Sequence, residues 1–205
     1  MPGYIRTTAR FLLSHCPDVT VNYNPAFVAQ GAILEGYKSG GYFGLVLAGV
    51  ETDECFAFLA NLYAKFGAQS SSSMRVCRMS PESAELCKLA SNCFRTLKIS
   101  FANMIGDIAD KTPGADKYDI CQALGSDDSI GPKCMTPGDS YGGPCYPRDN
   151  VALGVYANQC GVAALLPQAS DAYNKLHSDG QYYALVGSGL QEVRCRMMLC
   201  RPYGF

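Results

Sequence analysis

The chain has 205 residues, of which 48% are hydrophobic and 17% charged, the balance of an ordinary globular protein. Length alone allows one or two domains. Its 17 basic residues nearly cancel its 18 acidic ones, so the sequence offers no basic surface of the kind that binds nucleic acid.

The first third of the chain predicts short strands and helices. Residues 19–23, VTVNY, predict a strand that ends at an Asn-Pro break, and residues 26–37 predict a short helix. The apolar residues 41–49 predict a buried strand and are too few to cross a membrane. Residues 52–66 have apolar side chains at helical spacing, before a serine run that marks a loop.

A long helix is predicted over residues 81–110. Ser80 is a good N-cap, and Pro81 suits the first helical position. Such a helix would be about 45 Å long and would extend beyond one small core, so we expect a second copy of the chain to cover it in a homodimer. The apolar seam that this copy would cover consists of Cys87, Ala90, Phe94, Leu97, Phe101, Met104 and Ile108.

Shorter helices are predicted after this one, over residues 115–124, from near residue 147 to about 160, and over residues 168–178. Residues 125–144 are typical of a loop. The tail, residues 181–205, has no clear pattern.

The chain has eleven cysteines, and residues 1–18 lack the pattern of a signal peptide. An odd count without a secretion signal favours reduced thiols in the cytoplasm. With two histidines and no CxxC pair, no metal site is expected. Ten of the cysteines are interpreted as small apolar residues.

Cys145 differs from the other ten because it lies in GDSYGGPCYPRDN, residues 138–150. Three glycines in this stretch let the backbone approach a ligand closely. Pro147 predicts that a helix starts here, which places the thiol at a helix N-terminus, where the dipole favours a thiolate and an oxyanion. Asp149 follows one turn later, near enough to hold a water or a proton. From the residues alone, a structural glycine loop with an incidental cysteine remains the alternative.

Three segments, in this order, resemble the UDP-glucose/GDP-mannose dehydrogenase family, especially its UDP-sugar 6-dehydrogenases. Residues 23–33, YNPAFVAQGAI, resemble the family's NPEF segment, and residues 84–110 resemble its long central helix. Residues 125–153, GSDDSIGPKCMTPGDSYGGPCYPRDNVAL, resemble its cysteine signature. With PGYIRT, which looks like the stretch after the last core strand in the first part of the cofactor domain, the resemblance covers about residues 2–178.

The resemblance implies a mainly α fold, in which a long-helix dimerisation domain follows a small α/β remnant of a Rossmann-type sheet. Residues 1–79 would be the remnant of the NAD-binding domain, residues 80–180 the helical central domain, and residues 181–205 a tail of unassigned structure. The strands at 19–23 and 43–48 would then be the last strands of a sheet whose other strands are absent. The unpaired edge of these strands must pair with a partner, be covered locally or become an aggregation site.

The resemblance also implies a chemistry, the oxidation of a nucleotide sugar's C6 alcohol to a carboxylate by two hydride transfers to NAD. Cys145 would capture the aldehyde, pass through a thiohemiacetal and a thioester, and be released by water. Asp149 would handle the proton and water, while Lys88 and Asn92, four residues apart on one helix face, would stabilise the oxyanion. Without the motif, both would be interpreted as helix-surface residues. The residues lining the sugar would be Tyr141, Gly142 and Gly143.

Several features depart from the family pattern. Ala26 replaces the glutamate associated with hydrolysis, and a methyl group cannot orient or deprotonate water. Ser129 replaces an arginine that reaches the neighbouring subunit's sugar. No GxGxxG motif follows an early strand, and the tail does not resemble the family's UDP-binding domain, so we expect an incomplete protein that is not active alone.

The sequence leaves more than one function open. The chain is either the central domain of an NAD-dependent UDP-sugar 6-dehydrogenase, with a separate chain supplying the NAD and UDP-sugar sites, or a catalytically degenerate dimerisation and assembly module. A truncated gene product without a role of its own is a third interpretation. UDP-glucose is preferred over GDP-mannose because SYGGPCYPRDN looks closer to the UDP-sugar branch.

Overall fold

The computed structural model describes residues 4–27, 45–67 and 75–187. They form two compact units, one up to Lys88 and one from Leu89 onward. The first combines a small parallel sheet with helices, and the described part of the second is helical. This confirms the predicted fold class, mainly α with one small α/β part.

In the first unit, two strands and the helix between them form a βαβ unit. The strands pair in parallel, with Leu45 opposite Arg75. Tyr23 adds an antiparallel bridge to Gly49 through two backbone hydrogen bonds of 2.9 Å. The elements are α1 (Tyr4–Leu13), β1 (Leu45–Gly49), α2 (Asp53–Gly67), β2 (Arg75–Met79) and the start of α3 (Pro81–Ala109).

The core of this unit lies against β1. Leu47 is 1% exposed and forms a buried cluster with Phe27 and Ala84. The helix comes close to the strand because Gly49 has no side chain: a Cβ there would lie 2.8 Å from the Ala84 methyl carbon. A glycine therefore sets how closely α3 approaches the sheet.

The predicted strands need two corrections. The predicted strand over residues 19–23 does not form. Only Tyr23 of that segment pairs with β1, through a single bridge. The edge of β1 expected to lack a neighbour is paired locally by β2, which was not predicted because its sequence, RVCRM, mixes exposed and half-buried positions. The predicted residues 28–44, which include most of the short helix, lie outside the described residues.

The second unit contains the rest of α3 with α4 (Lys117–Gly125), α5 (Tyr146–Gln159) and α6 (Leu165–Gly187), and α5 packs against α6. The long helix was predicted to within one residue. Its cap is also confirmed, because the Ser83 N–H donates to Ser80 Oγ at 3.2 Å. Helix α6 extends beyond the predicted residues 168–178, and α1 was not predicted. None of the described helices is long and apolar enough to cross a membrane.

The buried face of α3 in the second unit carries polar side chains among apolar ones such as Ile99 and Ala102. Thr96 and Asn103 are 0% and 1% exposed, and Asn92 and Ser100 are also buried. The predicted apolar seam lies on the other side, where the most exposed residues are Phe94 at 62%, Phe101 at 43% and Ile108 at 54%. The seam is therefore largely open in a single chain.

Candidate active site

Cys145 lies at the N-cap of α5 and is exposed. The helix starts as predicted, and its first turn is closed by a hydrogen bond from the Asp149 N–H to the Cys145 carbonyl, 2.9 Å. Gly143, two residues before the cysteine, has a φ of 76°, a left-handed conformation that favours glycine. This turn presents the thiol at the positive end of a helix of 14 residues.

Two predicted site residues, Asn92 and Asp149, are brought together, and Asp149 lies in the first turn of the helix that Cys145 precedes. Asn92 Nδ2 donates to Asp149 Oδ2 at 2.7 Å, and both side chains are buried. The exposed Arg148 lies 3.4 Å from the other carboxylate oxygen. The Asp149 carboxylate thus lies between an amide donor and a guanidinium group.

Arg95 fixes the orientation of the Asn92 amide. Its Nη1 donates to Asn92 Oδ1 at 3.3 Å, while the amide nitrogen faces Asp149. A flipped amide would set oxygen against carboxylate and nitrogen against guanidinium. Burial lowers the pKa of Arg95 from its ordinary value. Sequence reasoning missed this residue, because arginine side chains on helices are usually exposed to solvent.

The neighbouring thiol of Cys93 is suited to packing rather than to nucleophilic chemistry. Burial, with the added charge of Asp149, raises its pKa to about 12. Its Sγ donates to the Asp149 carbonyl at 3.5 Å. The interpretation of the other ten cysteines as small apolar residues needs a correction, because Cys16 and Cys160 are exposed like Cys145. Exposure alone therefore does not distinguish Cys145, and its role as nucleophile stays a prediction.

Tyr141, predicted to line the sugar, is buried with its hydroxyl turned to a carboxylate. The hydroxyl donates to Asp171 Oδ1 at 2.6 Å, and burial followed by this carboxylate raises the Tyr141 pKa. Asn150 Nδ2 donates to the same oxygen at 2.7 Å, and Thr96 donates to Asn150 Oδ1 at 3.0 Å. This network joins α3, α5 and α6 beneath the glycine loop. The sugar-lining roles of Tyr141, Gly142 and Gly143 stay predictions.

The backbone that leads into the glycine loop is held by side chains. Asn103 accepts from the Gly138 N–H at 2.8 Å and donates to the Asp139 carbonyl at 3.3 Å. Asn174 accepts from the Tyr141 N–H at 2.8 Å and donates to its carbonyl at 2.9 Å. His177 also contacts this segment. Sequence reasoning missed these residues, and the spacing of Asp171, Asn174 and His177 along a predicted helix was the available signal.

Lys88 belongs to the first unit. Its Nζ donates to the Ala26 carbonyl at 2.9 Å and lies 4.1 Å from the centre of the Phe27 ring. The lysine therefore contacts the NPAF segment, where the family pattern has a glutamate in place of Ala26. Ser129, the other departure, is exposed and donates to Asp127 Oδ1 at 2.6 Å.

The turn between β1 and α2 does not fit the pyrophosphate of NAD. A dinucleotide loop needs several glycines and a helix N-terminus open to negative charge. Here Gly49 is followed by Glu51, and α2 begins with Asp53 and Glu54, which repel phosphate. Nor do the described residues contain a group of three or more histidine, cysteine or acidic side chains that could hold a metal ion.

Comparisons with known proteins agree on one family. Residues 82–176 match the model of the UDP-glucose/GDP-mannose dehydrogenase family, central domain. The chain is 34% identical over 138 residues to UDP-glucose 6-dehydrogenase of Rhizobium meliloti, which covers 66% of this chain and 30% of that protein. It is 29% identical over 168 residues to UDP-glucose 6-dehydrogenase TuaD of Bacillus subtilis, covering 80% and 34%.

Among solved structures, a UDP-glucose dehydrogenase from the hyperthermophilic archaeon Pyrobaculum islandicum matches with a TM-score of 0.73 and 29% identity. That match covers 85% of this chain and 39% of the other. The chain spans about a third of the length of the curated relatives it matches.

Proposed function

Because this chain belongs to the UDP-glucose/GDP-mannose dehydrogenase family, we propose that it supplies the nucleophilic thiol of a UDP-sugar 6-dehydrogenase. The relatives just described are UDP-glucose dehydrogenases, so the proposed substrate is a UDP-hexose oxidised at C6. The observation that carries the proposal is the buried Asn92–Asp149 hydrogen bond, in which Asp149 belongs to the first turn of a helix that starts at an exposed cysteine.

In the step assigned to this chain, the Cys145 sulfur adds to the C6 aldehyde. A carbon–sulfur bond forms, the carbonyl π electrons move to oxygen, and the thiol proton leaves to water or to Asp149. Protonation of the oxygen completes a thiohemiacetal, so the addition needs no oxidant. Asn92 directs one amide hydrogen at Asp149, which leaves a second as a donor to the developing oxyanion.

The oxidation steps need NAD, the family's hydride acceptor. The acidic turn after β1 does not suit a pyrophosphate, so we propose that NAD binds outside the described residues. The implied roles of Lys88 in oxyanion stabilisation and of residues 1–79 as the end of a cofactor domain stay predictions. A free-thiol state of the nine cysteines in the described residues supports a cytoplasmic location.

We further propose a homodimer through α3. The exposed residues Phe94, Phe101 and Ile108 recur every seven positions, and Leu97 and Met104 fall between them. This spacing is the one with which two helices pair side by side. The same stripe also supports the second candidate, an assembly module without turnover.

Thiol labelling tests the proposed nucleophile. Cys16 and Cys160 are exposed like Cys145 and serve as references within the chain. With limiting iodoacetamide and peptide mapping, we expect Cys145 to react about fivefold faster than either, because the N-terminus of α5 favours the negative charge of an attacking sulfur. The UDP-sugar C6 aldehyde should slow labelling of Cys145 alone. Equal rates at the three thiols, with no protection, would leave the assembly module as the better interpretation.

A further inference from the structure

We propose that Asp171 is a positioning residue whose carboxylate holds together the two flanks of the turn that carries Cys145. The inference deepens the proposed function and rests on it, since the turn matters to the chemistry only if Cys145 is the nucleophile. Asp171 is half-buried on α6 and takes no part in the proposed addition to the aldehyde. Its contacts, however, fall on both sides of the thiol in the sequence.

One oxygen of this carboxylate accepts hydrogen bonds from both flanks. The Tyr141 hydroxyl, from the flank before the thiol, donates to Asp171 Oδ1 at 2.6 Å. Asn150 Nδ2, from the flank after it, donates to the same oxygen at 2.7 Å. Asn150 Nδ2 also lies 3.2 Å from the Tyr141 hydroxyl oxygen, so each of these side chains contacts the other two. Residues 141–150 therefore form a loop whose two ends meet at Asp171.

Both donors are buried and therefore depend on this acceptor. Tyr141 is 6% exposed and Asn150 is 2% exposed, and buried hydroxyl and amide groups are normally paired within the protein. Burial and, after it, the hydrogen bond to Asp171 raise the Tyr141 pKa, so the hydroxyl keeps its proton and acts as the donor. Thr96 holds Asn150 Oδ1, and Asn174 holds the backbone of Tyr141. Each of these two anchors holds one flank, whereas Asp171 holds both.

The stretch between the flanks needs such an anchor because its backbone is permissive. Gly142 and Gly143 lie between Tyr141 and the thiol, and Gly143 has a left-handed φ of 76°. Glycine adopts many backbone conformations at little cost, so the conformation of the turn depends on how its ends are fixed. Joining the two ends reduces the number of conformations open to the residues between them. Asp171 thereby fixes the place at which α5 presents Cys145.

Hydrogen exchange of the full chain, without sugar or NAD, tests whether Asp171 joins the flanks. Asp171→Leu removes the acceptor with little change in side-chain size, so protection of the peptide containing residues 138–150 should fall about tenfold. Asp171→Asn keeps an acceptor oxygen and should restore most of that protection. Asp179→Leu, at an exposed aspartate of the same helix, is the matched control and should leave the peptide unchanged. Unchanged protection in Asp171→Leu, or an equal loss in Asp171→Asn, would overturn the proposal.

The helix α4 peptide reports whether the variant folds. If α4 also loses protection in Asp171→Leu, the milder variant Tyr141→Phe decides, because it removes only the hydroxyl that donates to Asp171. Protection of residues 138–150 should then fall about threefold, with α4 unchanged. Full protection of this peptide in Tyr141→Phe would overturn the proposal.

Iodoacetamide labelling connects the anchor to the thiol. In Asp171→Leu the rate at Cys145 should fall to that at the exposed Cys16, whereas Asp171→Asn should keep the wild-type ratio of the two rates. An unchanged ratio in Asp171→Leu would make the aspartate a structural residue only and overturn the positioning role. Equal rates in the wild-type chain would instead count against the proposed nucleophile, and hydrogen exchange would still decide whether Asp171 joins the flanks.

Discussion

Around β1, the first unit buries the apolar side chains of Phe27 and Leu47, whereas along α3 the second unit buries Asn92, Thr96 and Asn103. Apolar contact is roughly proportional to buried area and has no direction. Each buried amide or hydroxyl, by contrast, requires a partner at a defined distance and angle. The interior of the second unit therefore fixes geometry as well as contributing stability, and its hydrogen bonds reach Gly138, Asp149 and Asn150, on either side of Cys145 in the sequence.

Removing apolar contact around β1 should have the largest effect on stability. Leu47→Ala removes a fully buried side chain and should lower the free energy of unfolding by about 2–5 kcal/mol. Leu62→Ala, at an exposed leucine of α2, should cost far less. Urea denaturation followed by circular dichroism measures both. Similar losses for the two variants would mean that the cluster at β1 is not the main source of stability in this unit.

Removing a buried polar group from the second unit should lower the free energy of unfolding by a smaller amount. Asn150→Leu keeps the volume but leaves Thr96 and Asp171 without the bonds that they make to Asn150, which should cost about 1–3 kcal/mol. Asn158→Leu, on an exposed face of the same helix, should change stability by less than about 0.5 kcal/mol. The same urea experiment applies. A gain in stability in Asn150→Leu would show that the polar interior costs stability and is kept for geometry alone.

A charge on the exposed side of α3 should have the smallest effect on the fold and act mainly on self-association. Phe101→Asp places a charge on the exposed stripe and should weaken self-association at least about tenfold, with little change in the fold. Phe58→Asp, at an exposed phenylalanine of the first unit, is the matched control. Sedimentation velocity over a concentration series measures the association. A monomeric wild-type chain would contradict the proposed dimer.

The sequence alone predicted an element correctly where several strong local signals agree. Ser80 and Pro81 gave the start of α3, and Pro147 gave the start of α5, so the helix-terminal position of Cys145 could be predicted. The fold class followed from the family resemblance together with the long helix. Each of these signals acts within one or two turns of chain.

What could not be predicted depends on contacts between residues far apart in sequence. The apolar period of α3 identified a seam that is largely exposed in one chain, while the buried face carries Asn92, Thr96 and Asn103, which local reasoning assigns to the surface. Each of them has a partner 35 to 57 residues away in the sequence. Strand β2 was missed for a similar reason, since its pairing with β1 rather than its own pattern makes it a strand.

The side-chain grip on residues 138–141 has a consequence for anyone who wishes to transplant the thiol loop. A hairpin carries most of its shape within its own backbone pairing, but this segment takes its hydrogen bonds from Asn103, Asn174 and His177, on two separate helices. A synthetic peptide or graft that contains the loop alone would lack these hydrogen bonds and would not keep the same backbone conformation. The portable unit is the loop with portions of both helices in register.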